Sequence, residues 1–122
     1  MVEDYFRDLT IVVTGVCTAG KSTLIESLKK HGLDARHVAQ EHSCVPQLWK
    51  HSNPDFLVVL DCSYEAAQKR RDISWTRERI DGQRKCLADA IANCDLYLNT
   101  DNLSEDEVSE LVLQGIREKF GT

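Results

Sequence analysis

Residues 15–22 read Gly15-Val16-Cys17-Thr18-Ala19-Gly20-Lys21-Ser22, with Thr23 directly behind them. This is a complete G-x-x-x-x-G-K-[ST] pattern. A loop of this kind turns successive backbone N–H groups inward to cradle the α/β-phosphates of a nucleotide. Lys21 reaches the β/γ-phosphates, and the Ser22 hydroxyl is placed to ligand Mg²⁺. The alternative is a Gly-rich turn that binds nothing, but a turn alone does not require Lys followed by Ser at those two places. The pattern has its meaning only where a strand precedes it and a helix follows.

Both flanks comply. Residues 9–14, Leu9-Thr10-Ile11-Val12-Val13-Thr14, form a continuous apolar run rich in β-branched residues, as in a parallel strand buried on both faces. Behind the loop, residues 21–31 place Leu24, Ile25 and Leu28 on one stripe and stop at Gly32, a natural residue just past a helix end. That helix aims its free N–H groups and the positive end of its dipole at the loop. The expected phosphate contacts are therefore Gly15, Val16, Cys17, Thr18, Ala19, Gly20, Lys21, Ser22 and Thr23.

The chain has 122 residues, which predicts one domain with a core that needs no staples. Apolar content of 42% and charged content of 29% are ordinary for a soluble globular protein. A net charge of −5 argues against a nucleic-acid platform, which needs clustered cations, but does not oppose a locally positive nucleotide pocket. No run approaches membrane-spanning length, and the start, Met1-Val2-Glu3-Asp4-Tyr5-Phe6, does not read as a signal peptide. Cys17, Cys44, Cys62, Cys86 and Cys94 are odd in number and show no C-x-x-C spacing. Reduced thiols in a cytoplasmic protein are expected, rather than disulfides or a zinc site. Cys17 lies beside a helix N-terminus and Lys21, surroundings that favour a thiolate, but a small side chain at a variable loop position is the reading preferred.

Further along, residues 35–39 offer a second, less apolar strand suited to a sheet edge. Residues 40–55 are polar and irregular, with a short helix predicted from Pro46 to His51. Residues 56–61, Phe56-Leu57-Val58-Val59-Leu60-Asp61, are a third strand ending in a carboxylate. Helices are predicted over 65–72 and 77–92, the second with Ile80, Leu87 and Ile91 inward. A fourth strand follows at 95–99. Ser104-Glu105-Asp106-Glu107 is a capping box opening a last helix, with Val108, Leu111, Val112, Gly115, Ile116, Lys119 and Phe120 on the inward stripe. Strands alternating with helices predict an α/β fold with three layers and a short, mostly parallel sheet of about four strands. Ligands in such sheets bind beyond the carboxyl ends of the strands.

Three segments together resemble the small P-loop kinases related to adenylate and thymidylate kinase. One is the loop with Thr23. The second is Leu60-Asp61-Cys62-Ser63-Tyr64-Glu65-Ala66-Ala67-Gln68-Lys69-Arg70-Arg71, similar to the family's "LD-x-[PS]-x-E-x-x-x-x-R-R" stretch. The third is Leu98-Asn99-Thr100-Asp101-Asn102-Leu103-Ser104 followed by Glu107-Val108, similar to its "IDT-x-x-LS-x-x-EV" close. The resemblance implies a P-loop NTPase fold spanning residues 1–122, with a lid-like region at 65–92. It also implies that Arg70 or Arg71, with Arg77, Arg79 or Arg84 behind, closes over a triphosphate. Arginine's fixed fork suits phosphate oxygens and charge on a transferring phosphoryl group. Consecutive residues cannot point the same way, so one working arginine is expected from Arg70 and Arg71. A basic helix surface neutralised by Asp72, Glu78 and Asp81 is the other reading.

Two departures from the family pattern matter. Asp61 reads as a Mg²⁺-side carboxylate at a strand end, yet in the family its strand follows the metal-binding one. One strand of the usual five is then missing, and Glu41 becomes the rival carboxylate. The acceptor-binding insertion is reduced to residues 40–55, which carry His42, Trp49, Lys50 and His51; Trp49 also reads as a packing residue. The sequence therefore predicts an ATP- and Mg²⁺-dependent phosphotransferase acting on a small-molecule acceptor. Lys21, Arg70 or Arg71, and Asp61 or Glu41 would be its chemical residues. The alternative is a nucleotide-binding module or regulatory ATPase without kinase turnover. No nucleic-acid or membrane partner is expected, and either a homodimer or another partner would cover any apolar surface left by the missing strand.

Overall fold

The apolar run that precedes the loop forms β1 (Thr10–Gly15), with every residue after Thr10 buried. The structure is a computed structural model in which residues 8–16, 19–39, 48–70 and 77–121 are described. Helix α1 (Lys21–Lys30) buries Leu24 and Leu28. It ends as its sequence predicts: Gly32 takes φ 87°, the Gly32 N–H donates to Lys29 O at 3.0 Å and the Leu33 N–H to Leu28 O at 3.1 Å. These paired bonds satisfy carbonyls that a helix end otherwise leaves unpaired, and they need a left-handed residue where Gly32 stands.

The chain continues through β2 (Asp34–His37), a short 3₁₀ helix (Leu48–Ser52) and β3 (Phe56–Asp61), in which all six residues are buried. Helices α2 (Tyr64–Arg70) and α3 (Arg77–Asn93), strand β4 (Leu96–Asn99) and helix α4 (Glu105–Phe120) follow. Among the described residues the strands make one four-stranded sheet, ordered β2-β1-β3-β4, with every pair parallel. The protein is thus an α/β fold on a short parallel sheet, as the sequence predicts.

The strand order decides where the helices go. From β1 the chain steps one way to β2, and from β3 it steps the other way to β4. Right-handed crossovers then place α1 and α3 on opposite faces. Ile11, Val13, Phe56, Val58 and Leu60 pack in the larger core cluster with Leu24 and Leu28 of α1 and Val112 and Ile116 of α4. Val12, Leu57 and Val59 pack on the other face with Ala90 of α3, Leu48 and Trp49. Burying each large side chain contributes about 2 kcal/mol, so the central strands hold most of the stabilising surface. The carboxyl ends of β1 and β3 form the point where the chain's direction across the sheet reverses, the usual crevice for a ligand in an open α/β sheet.

Some predicted details shift. Strand β2 ends at His37 rather than at 39; Val38 leaves the ladder after donating its N–H to Val13 O at 3.1 Å. The short helix predicted from Pro46 is a 3₁₀ helix over Leu48–Ser52, and Pro46 lies outside the described residues. In α4 the buried positions are Val108, Ser109, Val112, Leu113 and Ile116, whereas Leu111 is 37% exposed. The arc turns because α4 meets α1 through Ser109, whose hydroxyl lies 2.6 Å from that of Ser27. At 100° per residue this places Leu111 beyond the edge of the buried arc. Cys62 and Cys94 are free thiols, but Cys86 is disulfide-bonded, so the expectation of reduced cysteines fails there. Sequence spacing does not register cysteines that folding brings together. Among the described residues no helix is long and apolar enough to cross a membrane.

Candidate functional site

The loop after β1 is built from close backbone contact. A Cβ on Gly15 would lie 2.1 Å from the Leu60 carbonyl oxygen, so only glycine fits where the chain leaves β1 over β3. The Val16 N–H donates to the same Leu60 oxygen at 3.1 Å. Cys17 and Thr18 lie outside the described residues. The chain resumes at Ala19, whose N–H donates to Val16 O at 3.3 Å, and reaches Gly20, the residue before α1, at φ 100°. That left-handed conformation is the second place where the loop requires glycine.

Among the described residues no side chain caps the start of α1, and its first turn, Lys21-Ser22-Thr23, holds no acid. Ser22 and Thr23 are exposed. Lys21 folds back across the loop and donates from Nζ to Gly15 O at 2.7 Å. The first-turn N–H groups and the lysine ammonium thus face the same loop, an arrangement that favours negative charge.

The end of β3 is organised differently. Asp61 is 5% exposed and accepts from three donors: the Cys62 N–H at 2.8 Å, Arg84 Nε at 3.1 Å to each carboxylate oxygen, and the Tyr97 hydroxyl. Arg84, on α3, also donates to Cys62 O at 2.7 Å and to Asp81 at 3.2 Å. Burial, then the hydrogen bond to Asp61 and its charge, push the Tyr97 phenol up to about 12. No motif in the sequence marks Tyr97. Its signal was the alternation of β4, which turns Leu96 and Leu98 to the core and Tyr97 to the face that Asp61 occupies. Thr14, on the neighbouring strand, is fully buried, and its hydroxyl has no hydrogen-bond partner among the described residues.

The arginines separate by partner. Arg70, the last residue of α2, donates from Nη1 to Thr100 Oγ1 at 2.9 Å and from Nη2 to Thr100 O. Thr100 Oγ1 lies 3.1 Å from Ala19 O, which sets Arg70 one hydroxyl away from the loop. Arg77 pairs with Glu65 and sits 5.2 Å from the Tyr64 ring centre; the ion pair holds the Glu65 carboxyl below its ordinary range. Arg79 is exposed. Arg84 is bound to Asp61 as above.

Arg71, Glu41, His42 and Cys44 lie outside the described residues. Trp49 packs against the smaller core cluster and donates from Nε1 to Asp89 at 2.8 Å; Lys50 and His51 are exposed. The carboxyl edge of the sheet therefore gathers Gly15, Ala19, Gly20, Lys21, Ser22, Thr100 and Arg70 around one loop, with Asp61 beside it on the α3 face. No family model matches the chain, and no curated protein is found similar to it.

Proposed function

We propose that this chain is an ATP-binding P-loop protein whose loop at residues 15–22 holds the phosphates of Mg-ATP, and that it transfers the γ-phosphoryl group to a small acceptor. The observation that carries this reading is the start of α1. It is uncapped among the described residues, free of acid, preceded by a left-handed Gly20 and faced by Lys21, at the point where the sheet reverses direction. Helix N-termini of this kind are ready-made phosphate sites. Ser22, exposed in the first turn, is the residue suited to Mg²⁺, which commonly takes few protein ligands and completes its shell with phosphate oxygens and water. Bound there, the metal would neutralise charge on the β- and γ-phosphate oxygens.

The chain's own residues would do three things. Loop amides and Lys21 would bind and orient the phosphates. Arg70, held beside Ala19, would offset negative charge at the same loop. Asp61 would act as an anchor for Arg84 and Tyr97, since its oxygens are engaged by three residues of the fold. Positioning and charge stabilisation are most of what phosphoryl transfer asks of a protein. The saturation of Asp61 also favours a second reading, a nucleotide-binding module or regulatory ATPase without kinase turnover.

Binding is tested by a thermal-shift titration with Mg-ATP. The wild type should be stabilised, and Lys21→Ala should need about tenfold more nucleotide for the same shift, the effect of one charge-assisted contact. An unchanged titration in Lys21→Ala sinks the phosphate-site reading. Kinase and module separate by product: ADP that depends on one acceptor from a metabolite pool supports transfer, and acceptor-independent or absent ADP supports the module.

A further inference from the structure

Thr100 is 2% exposed and stands where four parts of the molecule meet. Its N–H donates to Asp61 O at 2.8 Å, which continues the β3–β4 pairing one residue beyond β4. Its hydroxyl oxygen is 3.1 Å from Ala19 O, in the loop, and 3.2 Å from Asp61 O. Its hydroxyl and its carbonyl each accept from one Nη of Arg70. A threonine hydroxyl has one proton and two lone pairs. Arg70 takes a lone pair, so the proton is left for a carbonyl, and both carbonyls within reach belong to the strand and loop that frame the proposed phosphate site.

Two features make this more than a packing contact. First, Arg70 ends a seven-residue helix with an exposed flank, and a long cationic side chain there would ordinarily lie in water. Arg70 is exposed, yet its planar fork donates twice to Thr100, Nη1 to the hydroxyl and Nη2 to the carbonyl, a pairing that lysine cannot reproduce. Second, the hydroxyl that orients the fork also contacts Ala19, the residue before Gly20. The position of the arginine and the path of the loop are fixed by the same oxygen.

We infer that Thr100 is the positioning residue that fixes Arg70 against the phosphate loop, so that the guanidinium is already oriented when a nucleotide's phosphates arrive. The inference rests on the nucleotide-binding reading above. Pre-orientation removes the entropy cost of ordering a flexible arginine on binding, so its loss appears in affinity. Thr100→Val keeps the side chain's volume and removes the hydroxyl; Thr100→Ser keeps the hydroxyl and removes the methyl.

The test is isothermal titration of Mg-ATP into the full chain, comparing wild type, Thr100→Val, Thr100→Ser, Arg70→Lys and the Thr100→Val/Arg70→Lys double variant. Thr100→Val and Arg70→Lys should each weaken Mg-ATP about tenfold, the double variant no more than either alone, and Thr100→Ser less than about twofold. A threonine that merely supports the fold would instead weaken binding to the same degree in both arginine and lysine backgrounds, and that result overturns the inference. So does Thr100→Val binding like wild type while Lys21→Ala is impaired, a pattern that leaves the nucleotide reading standing. If Thr100→Val does not fold, Arg70→Lys decides on its own: wild-type affinity there overturns the inference. Wild-type protein that gives no heat with Mg-ATP removes the nucleotide reading and the inference together.

Discussion

Helices α1 and α4 begin in opposite ways. The start of α4 is closed by its own residues. Ser104 Oγ accepts from the Glu107 N–H at 3.1 Å, Glu107 returns the contact by accepting from the Ser104 N–H at 3.0 Å, and Glu105, Asp106 and Glu107 set negative charge against the dipole. The start of α1 has Gly20 in place of a capping side chain, no acid in its first turn, and a lysine across the loop. Capping and dipole compensation are each worth about 1 kcal/mol or less, so α1 forgoes stability that the same chain secures at α4. Among the described residues this helix end is left open beside Gly15 and Gly20, the condition the proposed phosphate site needs. The contrast recurs at the strand ends, where the loop after β1 is held by backbone contacts and Asp61 at the end of β3 is closed by Arg84, Tyr97 and Cys62.

The strongest way to break this contrast is Gly15→Ala. The new Cβ meets the Leu60 carbonyl, so the loop must leave β3, and a loss of about 3 kcal/mol is expected in urea unfolding, the upper range for forced overpacking. A loss under about 1 kcal/mol would mean the loop is not held as described.

The closed strand end is tested by alkali. The Tyr97 phenol is raised in the folded state from 10.0 to about 12, so its neutral form is favoured by folding. Its contribution is therefore complete below pH 10 and is lost as the pH rises towards 12. Allowing for the exposed part of the ring, the loss should be about 1 kcal/mol, and Tyr97→Phe should lack that alkaline component. A flat wild-type stability over this range would contradict the Asp61–Tyr97 bond.

Ser104→Ala opens the capped end of α4 and should cost about 1 kcal/mol in thermal unfolding, with Mg-ATP binding untouched. Thr23→Glu does the reverse at α1. It places a carboxylate in the first turn, raises stability by about 0.5 kcal/mol, and abolishes the response to Mg-ATP through like-charge repulsion. A variant that is stabilised and still binds nucleotide would show that the open end of α1 is not the site.

Much of this was legible in the sequence because local rules and long-range packing agree in the central strands and in the loop. The runs at Ile11-Val12-Val13 and Leu57-Val58-Val59-Leu60 can be satisfied only inside a sheet, and Gly20 and Gly32 stand where the backbone turns left-handed. What sequence did not give were contacts between residues far apart in the chain. The Arg84–Asp61–Tyr97 cluster spans 36 residues, and the Arg70–Thr100 pair spans 30. The sequence marks Asp61, Arg84 and Arg70 as candidates, but nothing in it marks Tyr97 or Thr100 as the residues they bind. Leu111 stays exposed because the apolar stripe of α4 is wider than the face α1 can cover, and the Ser27–Ser109 contact selects which part is buried.

The central claim is that the first turn of α1 binds phosphate and the first turn of α4 does not. Amide nuclear magnetic resonance during a Mg-ATP titration reads both ends in one sample. The account predicts the largest shifts at the N–H groups of residues 19–24, with those of residues 105–108 unmoved. Shifts of equal size at both helix starts, or none at residues 19–24, would contradict it.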